Sequence, residues 1–301
     1  MKKFTLWLAK RFIKDHHKVK DIKVRAAYGM MEGWISVVLN LLLFVVKLII
    51  GLFLNSMALI ADAVHTLSDT LTSAIVIISF KISAKPADED HPYGHGRAEY
   101  IATLIISILL IVTGIEFLKS GVERLLNPEE FILSWPMIGV IFITVLIKEG
   151  MGQISKYLGE EIDSKALEAD FWHHRTDAIS SLFVIIAMIA TPLGYPWVDG
   201  LVALGVAFLL IYTGYDLAKE AADSLLGSPA DKEYILQIRN TAKQVPNVLD
   251  AHDIVVHSYG QTRFIGMHVE IDIDIPPMEA HDITENVEHF IKKELGAHCT
   301  V

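Results

Sequence analysis

The sequence has almost no cysteine: Cys299 is the only one in 301 residues. A single thiol excludes a disulfide framework and every cysteine-rich zinc module, so any metal must be held by histidine and carboxylate. Charge is sparse as well. Asp, Glu, Lys and Arg make up 21% of the chain against 52% hydrophobic residues, and the mean hydropathy of +0.41 is too high for an ordinary soluble domain of this size. Positive charge is scarcer than negative. The formal charge of -10 excludes a nucleic-acid binder, which needs a basic face to attract phosphate. Histidine, by contrast, is plentiful, with 13 residues.

The first 33 positions hold Lys2, Lys3, Lys10, Arg11, Lys14, Lys18, Lys20, Lys23 and Arg25 against Asp15, Asp21 and Glu32. Phe4 to Leu8 is too short an apolar run for a cleavable signal, so residues 1–33 are expected to stay as a basic, solvated cytoplasmic leader near anionic headgroups. Beyond it, segments near 34–54, 57–83, 100–120, 134–156, 172–192 and 197–218 have the roughly 20 apolar helical residues that cross a hydrocarbon layer. Residues 34–220 therefore read as a six-helix transmembrane domain. The links between the first two spans and between the last two (Thr191 to Trp197) lack Lys and Arg. The positive-inside bias then places both termini on the cytoplasmic side of a cell (plasma or inner) membrane.

Residues 221–301 change character. From Gly227 onward, 12 Asp or Glu stand against 6 Lys or Arg, and no apolar run is long enough to span. Pro229 and Asp231 open a helix that ends before Pro246, and alternating stretches at Ala251–His257 and Arg263–Ile273 read as strands around a turn at Tyr259-Gly260-Gln261. A second helix is predicted from about Met278 to Leu295, and Cys299-Thr300-Val301 reads as the start of a third strand, cut off where the chain ends. The expected fold class is an α-helical membrane protein with six transmembrane helices followed by a small αββαβ cytoplasmic domain.

The second and fifth spans share a pattern. Ala61-Asp62-x-x-His65-x-x-x-Asp69-x-x-Thr72-Ser73 matches Ala169-Asp170-x-x-His173-x-x-x-Asp177-x-x-Ser180-Ser181. On a helix, His and Asp four residues apart lie one above the other, so each span presents two ligands on one face. Two such faces bring two imidazoles and two carboxylates together, a neutral tetrahedral set for a divalent cation of the zinc type. Hydrogen bonding between helices would explain one such residue. It does not explain ionisable pairs repeated at identical spacing, since each charge near the bilayer centre costs about 2.5 to 3.5 kcal/mol on insertion scales. Asp62 and Asp170 either orient the histidines, pass protons, or solvate the helix ends. His174 points about 100° away from His173 and is left out of the ligand face.

Between the second and third spans, Lys85 to Glu99 carries Asp88, His91 and His95 among prolines and glycines, which offers a second cation site in a structured loop or an acidic solvated loop.

Taken together these residues resemble the cation diffusion facilitator family of divalent-metal antiporters, over essentially the chain from the first span onward. The His/Asp repeat, the Pro86-Ala87-Asp88-x-x-His91-x-x-Gly94-His95-Gly96-x-Ala98-Glu99 loop and the Thr262-Arg263-Phe264-Ile265 strand opening carry the resemblance. It implies a homodimer in which His65, Asp69, His173 and Asp177 form the transport site and Asp88, His91 and His95 a loop site. It also implies a regulatory site in the cytoplasmic domain at His252, His268 and His281, with further ligands on a strand beyond Val301. Some relatives pair a basic residue at the position of Arg97 with an acid below the sixth span. Gly227 stands at that place here, with Asp223 one turn earlier.

Such ligands hold a metal only when deprotonated, so export of the cation in exchange for protons by alternating access is the expected function. Zn(II) is the expected substrate, with a structural or regulatory ion as a second expected role. Cd(II), Co(II), Fe(II) and Mn(II) are chemically admissible. An intramembrane metal hydrolase or a membrane metal sensor would use the same ligands differently.

Overall fold

The structure is a computed structural model that describes residues 2–53, 57–127, 135–195 and 197–301. The last residue of the first expected span with the link to the second, at 54–56, and the first residue of the fourth, at 134, lie outside the described residues. The chain forms two compact units, one of residues up to Ala84 together with Ala98–Ala222, the other of Lys85–Arg97 with Asp223–Val301.

The first unit is built from α1 (Lys2–Phe12), α2 (Ile22–Phe53), α3 (Met57–Ser83), α4 (Ala98–Leu126), α5 (Trp135–Ile162), α6 (Lys165–Ala190) and α7 (Trp197–Leu226), with one turn of 3-10 helix at Thr191–Leu193. The helices invert the usual soluble arrangement. On α2, Val38, Leu41, Leu42, Val45, Val46 and Ile49 point outward, while Ser36, Asn40 and Lys47 are buried. Apolar outside and polar inside is what a bilayer demands of a bundle whose interior carries function. Close approach of helices rests on small residues: a Cβ added at Gly29 of α2 would lie 2.1 Å from the Phe80 ring of α3.

Among the described residues, five helices are long and apolar enough to cross a membrane: Ile22–Phe53, Asp62–Ser83, Ala98–Leu126, Trp135–Ile162 and Gly200–Leu226. The other long helix, α6, has 26 residues. Its first half carries Glu168, Asp170, His173, His174, Arg175 and Asp177, which lowers its apolarity.

Residues 1–33 are not solvated throughout. Ala9 and Ile13 of α1 are in the core, and α2 begins at Ile22, with Arg25 and Tyr28 buried. Arg25 donates from Nε to Glu99 Oε1 at 3.1 Å and from its terminal nitrogen to Glu99 Oε2 at 2.7 Å and to the Asp163 carbonyl at 3.1 Å. A planar guanidinium satisfied in this two-pronged way tolerates burial that a free charge does not.

In the second unit, α8 (Lys232–Ala242), β1 (Asp250–Tyr259), β2 (Thr262–Glu270), α9 (Pro277–Leu295) and β3 (His298–Thr300) follow in the expected α-β-β-α-β order. The sheet runs β1-β2-β3, antiparallel then parallel, with His252 opposite His268 and Phe264 opposite His298. Ile238, Ala251, Ile265, Met267, Val287 and Ile291 form its core. The Lys85–Arg97 loop belongs to this unit. Tyr93 stacks on Tyr259 with ring centroids 4.8 Å apart. Gly260, at φ +64, lets the hairpin turn approach Gly96, whose carbonyl oxygen would be 2.7 Å from an added Cβ.

Candidate metal centre

The two helical repeats converge. His65 Nε2 lies 3.9 Å from Asp69 Oδ1 on α3, and His173 Nε2 lies 3.7 Å from Asp177 Oδ2 on α6. The helices meet at Asp69, whose Oδ1 is also 3.7 Å from His173 Nε2. These separations are too long for hydrogen bonds. They exceed by only a few tenths of an ångström the roughly 3.3 Å that separates tetrahedral ligands around an ion with bonds of about 2.0 Å. His173 Nε2 is buried and has no hydrogen-bond partner among the described residues. A cavity of about 370 Å³ lined by Lys47, Asp62, His65, Asp69, Lys148 and Asp177 gives access, and His65 is half-exposed within it.

The sequence reading passed over Lys148 of α5. Its ammonium donates to Asp69 Oδ2 at 2.6 Å and to Asp177 Oδ2 at 2.9 Å, and its side chain is 2% exposed. The signal was available, since Lys148 follows the apolar run from Val140 to Ile147 and an ionisable residue inside a span marks a functional site by default. Two carboxylates and two neutral imidazoles balance one divalent ion. The ammonium and such an ion therefore compete for the same oxygens.

The two leading aspartates meet other partners than the repeat histidines. Asp62 pairs with Lys47 of α2, Nζ to Oδ2 2.8 Å, and Lys47 also donates to Thr66 Oγ1 at 2.8 Å. Asp170 lies 3.2 Å from His174 Nε2, its partner four residues on, rather than serving His173 three residues on. His174 is fully buried, and while its Nε2 meets Asp170, one of its ring nitrogens still lies within 4.8 Å of ligand atoms of His173 and Asp177.

In the loop, Asp88, His91 and His95 do come together. Asp88 Oδ1 accepts the His91 backbone N–H at 2.7 Å and lies 3.4 Å from His91 Nδ1, while Oδ2 lies 3.4 Å from His95 Nε2. The His91 backbone N–H, then the His95 and His91 imidazoles, hold the Asp88 carboxyl below its usual range. The Pro86 carbonyl, 3.2 Å from His95 Nδ1, can only accept. His95 Nδ1 therefore donates to that carbonyl and Nε2 is left facing the Asp88 carboxylate, a pair of groups that a cation between them could bridge.

In the cytoplasmic domain His252 and His268, paired across β1 and β2, come together with Asp253. A β-bulge follows His252 and puts Asp253 at φ 50, with its Oδ2 3.5 Å from His268 Nδ1. His281 on α9 instead faces Glu285 of its own helix at 3.5 Å. Arg97 lies over the Tyr259 ring at 4.0 Å, and among the described residues it makes no ion pair with Asp223.

A family model described as the cation efflux transmembrane domain matches residues 33–226, and one described as the cation efflux protein cytoplasmic domain matches residues 230–301. The chain is similar to an uncharacterized transporter of Methanocaldococcus jannaschii, 36% identical over 258 residues that cover 86% of this chain and 91% of that protein. It is 32% identical to the manganese efflux system protein MneS of Bacillus subtilis over 88% of this chain and 91% of that one. It is also 32% identical to the cation-efflux pump FieF of Shewanella oneidensis, over 85% and 87%. The protein is a multi-pass membrane transporter and not an enzyme. It belongs to the cation efflux family, the cation diffusion facilitators.

Proposed function

We propose that this transporter exports Zn(II) in exchange for protons, with His65, Asp69, His173 and Asp177 gripping the ion at mid-membrane. The observation that carries the reading is the meeting of both repeats at Asp69, with His173 Nε2 unpartnered among the described residues and aimed at two carboxylates. Two imidazoles favour zinc. Manganese, which the name of the Bacillus subtilis relative specifies for that protein, prefers oxygen donors.

The exchange follows from the chemistry of the ligands. Imidazole and carboxylate release a metal as they take up protons, so alternating exposure of the cluster moves the ion one way and protons the other. Lys148 acts within the same cycle: it must leave Asp69 and Asp177 for the metal to settle, and it returns to neutralise them afterwards. The basic N-terminal segment supports a cytoplasmic side of the cell membrane for both termini, and in that orientation zinc leaves the cytoplasm as protons come in. The chain works as a homodimer, with Asp88, His91 and His95 as a further metal site.

Proteoliposomes provide the test. His65→Ala or Asp177→Ala is expected to abolish zinc-driven proton movement. Unchanged transport in both variants would overturn the assignment. Zinc binding without flux across sealed vesicles would favour a metal sensor, and faster manganese than zinc flux would reassign the substrate.

A further inference from the structure

Behind the His/Asp repeat lies a second cluster that the transport reading does not use. Glu32 and Ser36 of α2, Ser155 of α5, and Asp170 and His174 of α6 pack together, each at most 1% exposed. Ser36 Oγ lies 2.8 Å from Glu32 Oε1 and 3.1 Å from His174 Nε2. Ser155 Oγ lies 2.6 Å from the same Glu32 oxygen, 3.2 Å from Asp170 Oδ2 and 3.2 Å from the Met151 carbonyl. Each hydroxyl has one proton to give, so the cluster is rich in acceptors and poor in donors. Glu32 Oε2, Asp170 Oδ1 and His174 Nδ1 are buried with no hydrogen-bond partner among the described residues. Orphaned polar atoms of this kind call for an explanation, and an unrecorded ion is one of the standard ones.

We infer that Glu32, Asp170 and His174 form a second divalent-cation site within the membrane unit. One ligand atom from each lies within 4.8 Å of the others, a span that closes onto an ion with bonds of roughly 2.1 Å after modest adjustment. Two carboxylates and a neutral imidazole around a divalent ion have no net charge, which suits a site with no access to water. The set is dominated by oxygen, with both serine hydroxyls at hand, and therefore accepts Mn(II) more readily than a centre with two imidazoles does. An ion here ties α2 and α5 to α6 and fixes the rotation of α6, on which the neighbouring His173 is carried. Its role is to hold that helix in register; it is not cargo.

The probe is Mn(II) added to the purified full chain. The other candidate sites are disabled together by His65→Ala, Asp177→Asn, Asp88→Ala, His91→Ala, His252→Ala and His268→Ala. Electron paramagnetic resonance is expected to count one bound manganese per chain in this background, and addition of Glu32→Gln to weaken binding at least tenfold. If Glu32→Gln fails to fold, pulsed resonance on the background protein decides by itself. One coupled imidazole nitrogen marks this site once His173→Ala and His95→Ala are added to the background, because His65, His173, His91, His95, His252 and His268 are then all removed. No bound manganese, as for a cluster that holds only protons, overturns the inference. So does binding that survives Glu32→Gln, or a signal with no nitrogen or with two. Flux through the transport centre is read separately, so either reading can fail without the other.

Discussion

The membrane unit and the C-terminal unit both gather histidine beside carboxylate, but in opposite surroundings. Asp69 and Lys148 are almost fully buried and are fixed by contacts from three helices. His252, Asp253 and His268 are exposed, with side-chain exposures of 46%, 74% and 70%. Exposed groups are hydrated, screened by salt and free to change rotamer, so each contributes little alone. Buried groups are held in place and act in a low dielectric, so the loss of one leaves the others unbalanced. The same residue types should therefore be indispensable in one unit and adjustable in the other.

Asp69→Ala is the sharpest way to break that contrast. Metal flux in vesicles is expected to fall at least about a hundredfold, whereas His268→Ala changes it by no more than a few-fold. Equal losses in the two variants would show that burial is not what separates the units.

Stability offers a second comparison. Arg25→Met leaves the Glu99 carboxylate buried and unpaired, and the expected destabilisation is about 3 to 5 kcal/mol. Thermal unfolding in detergent measures it. A loss below about 1 kcal/mol would make this pair no different from a surface ion pair.

The competition at the transport centre gives a smaller effect. Lys148→Gln removes the ammonium that shares Asp69 and Asp177 with the metal. Zinc affinity by calorimetry is expected to rise about tenfold, which corresponds to about 1.4 kcal/mol. Weaker binding would mean that the ammonium organises the carboxylates for the ion instead of opposing it.

The architecture was legible in the sequence because its periods are strong. Long apolar runs mark the helices, alternation marks β1 and β2, and the His/Asp repeat marks the faces that meet. What could not be read depends on partners distant in sequence. Arg25 looked like part of a solvated leader because its partner Glu99 lies 74 residues away. Lys148 reaches Asp69 across 79 positions, and spacing within its own helix does not reveal that contact. Asp170 was legible in type but not in direction: only packing against α2 and α5 shows that it belongs with His174 and Glu32. In the C-terminal domain a bulge, which follows no simple period, brings Asp253 beside His252 and His268.

The smallest expected effect is at the surface of the C-terminal unit, where Arg239 binds both oxygens of Asp250, with Nε to Oδ1 at 2.8 Å and Lys243 nearby at 3.5 Å. The Arg239 hydrogen bonds, then the Ala251 backbone N–H, hold the Asp250 carboxyl well below its ordinary range. A carboxyl with a depressed folded pKa contributes stability that is complete above its unfolded value, about 4, and is lost as pH falls through the folded one. Wild-type protein should therefore lose stability on acidification below about pH 4 more steeply than Asp250→Asn, with little difference in slope near neutrality. Thermal melts of the full chain across that range, at low and high salt, read the difference. Because the pair is exposed, salt should shrink it. A difference that survives high salt would place this pair with the buried Arg25 and Glu99 rather than with the exposed histidines, and the division between the two units would have to be redrawn.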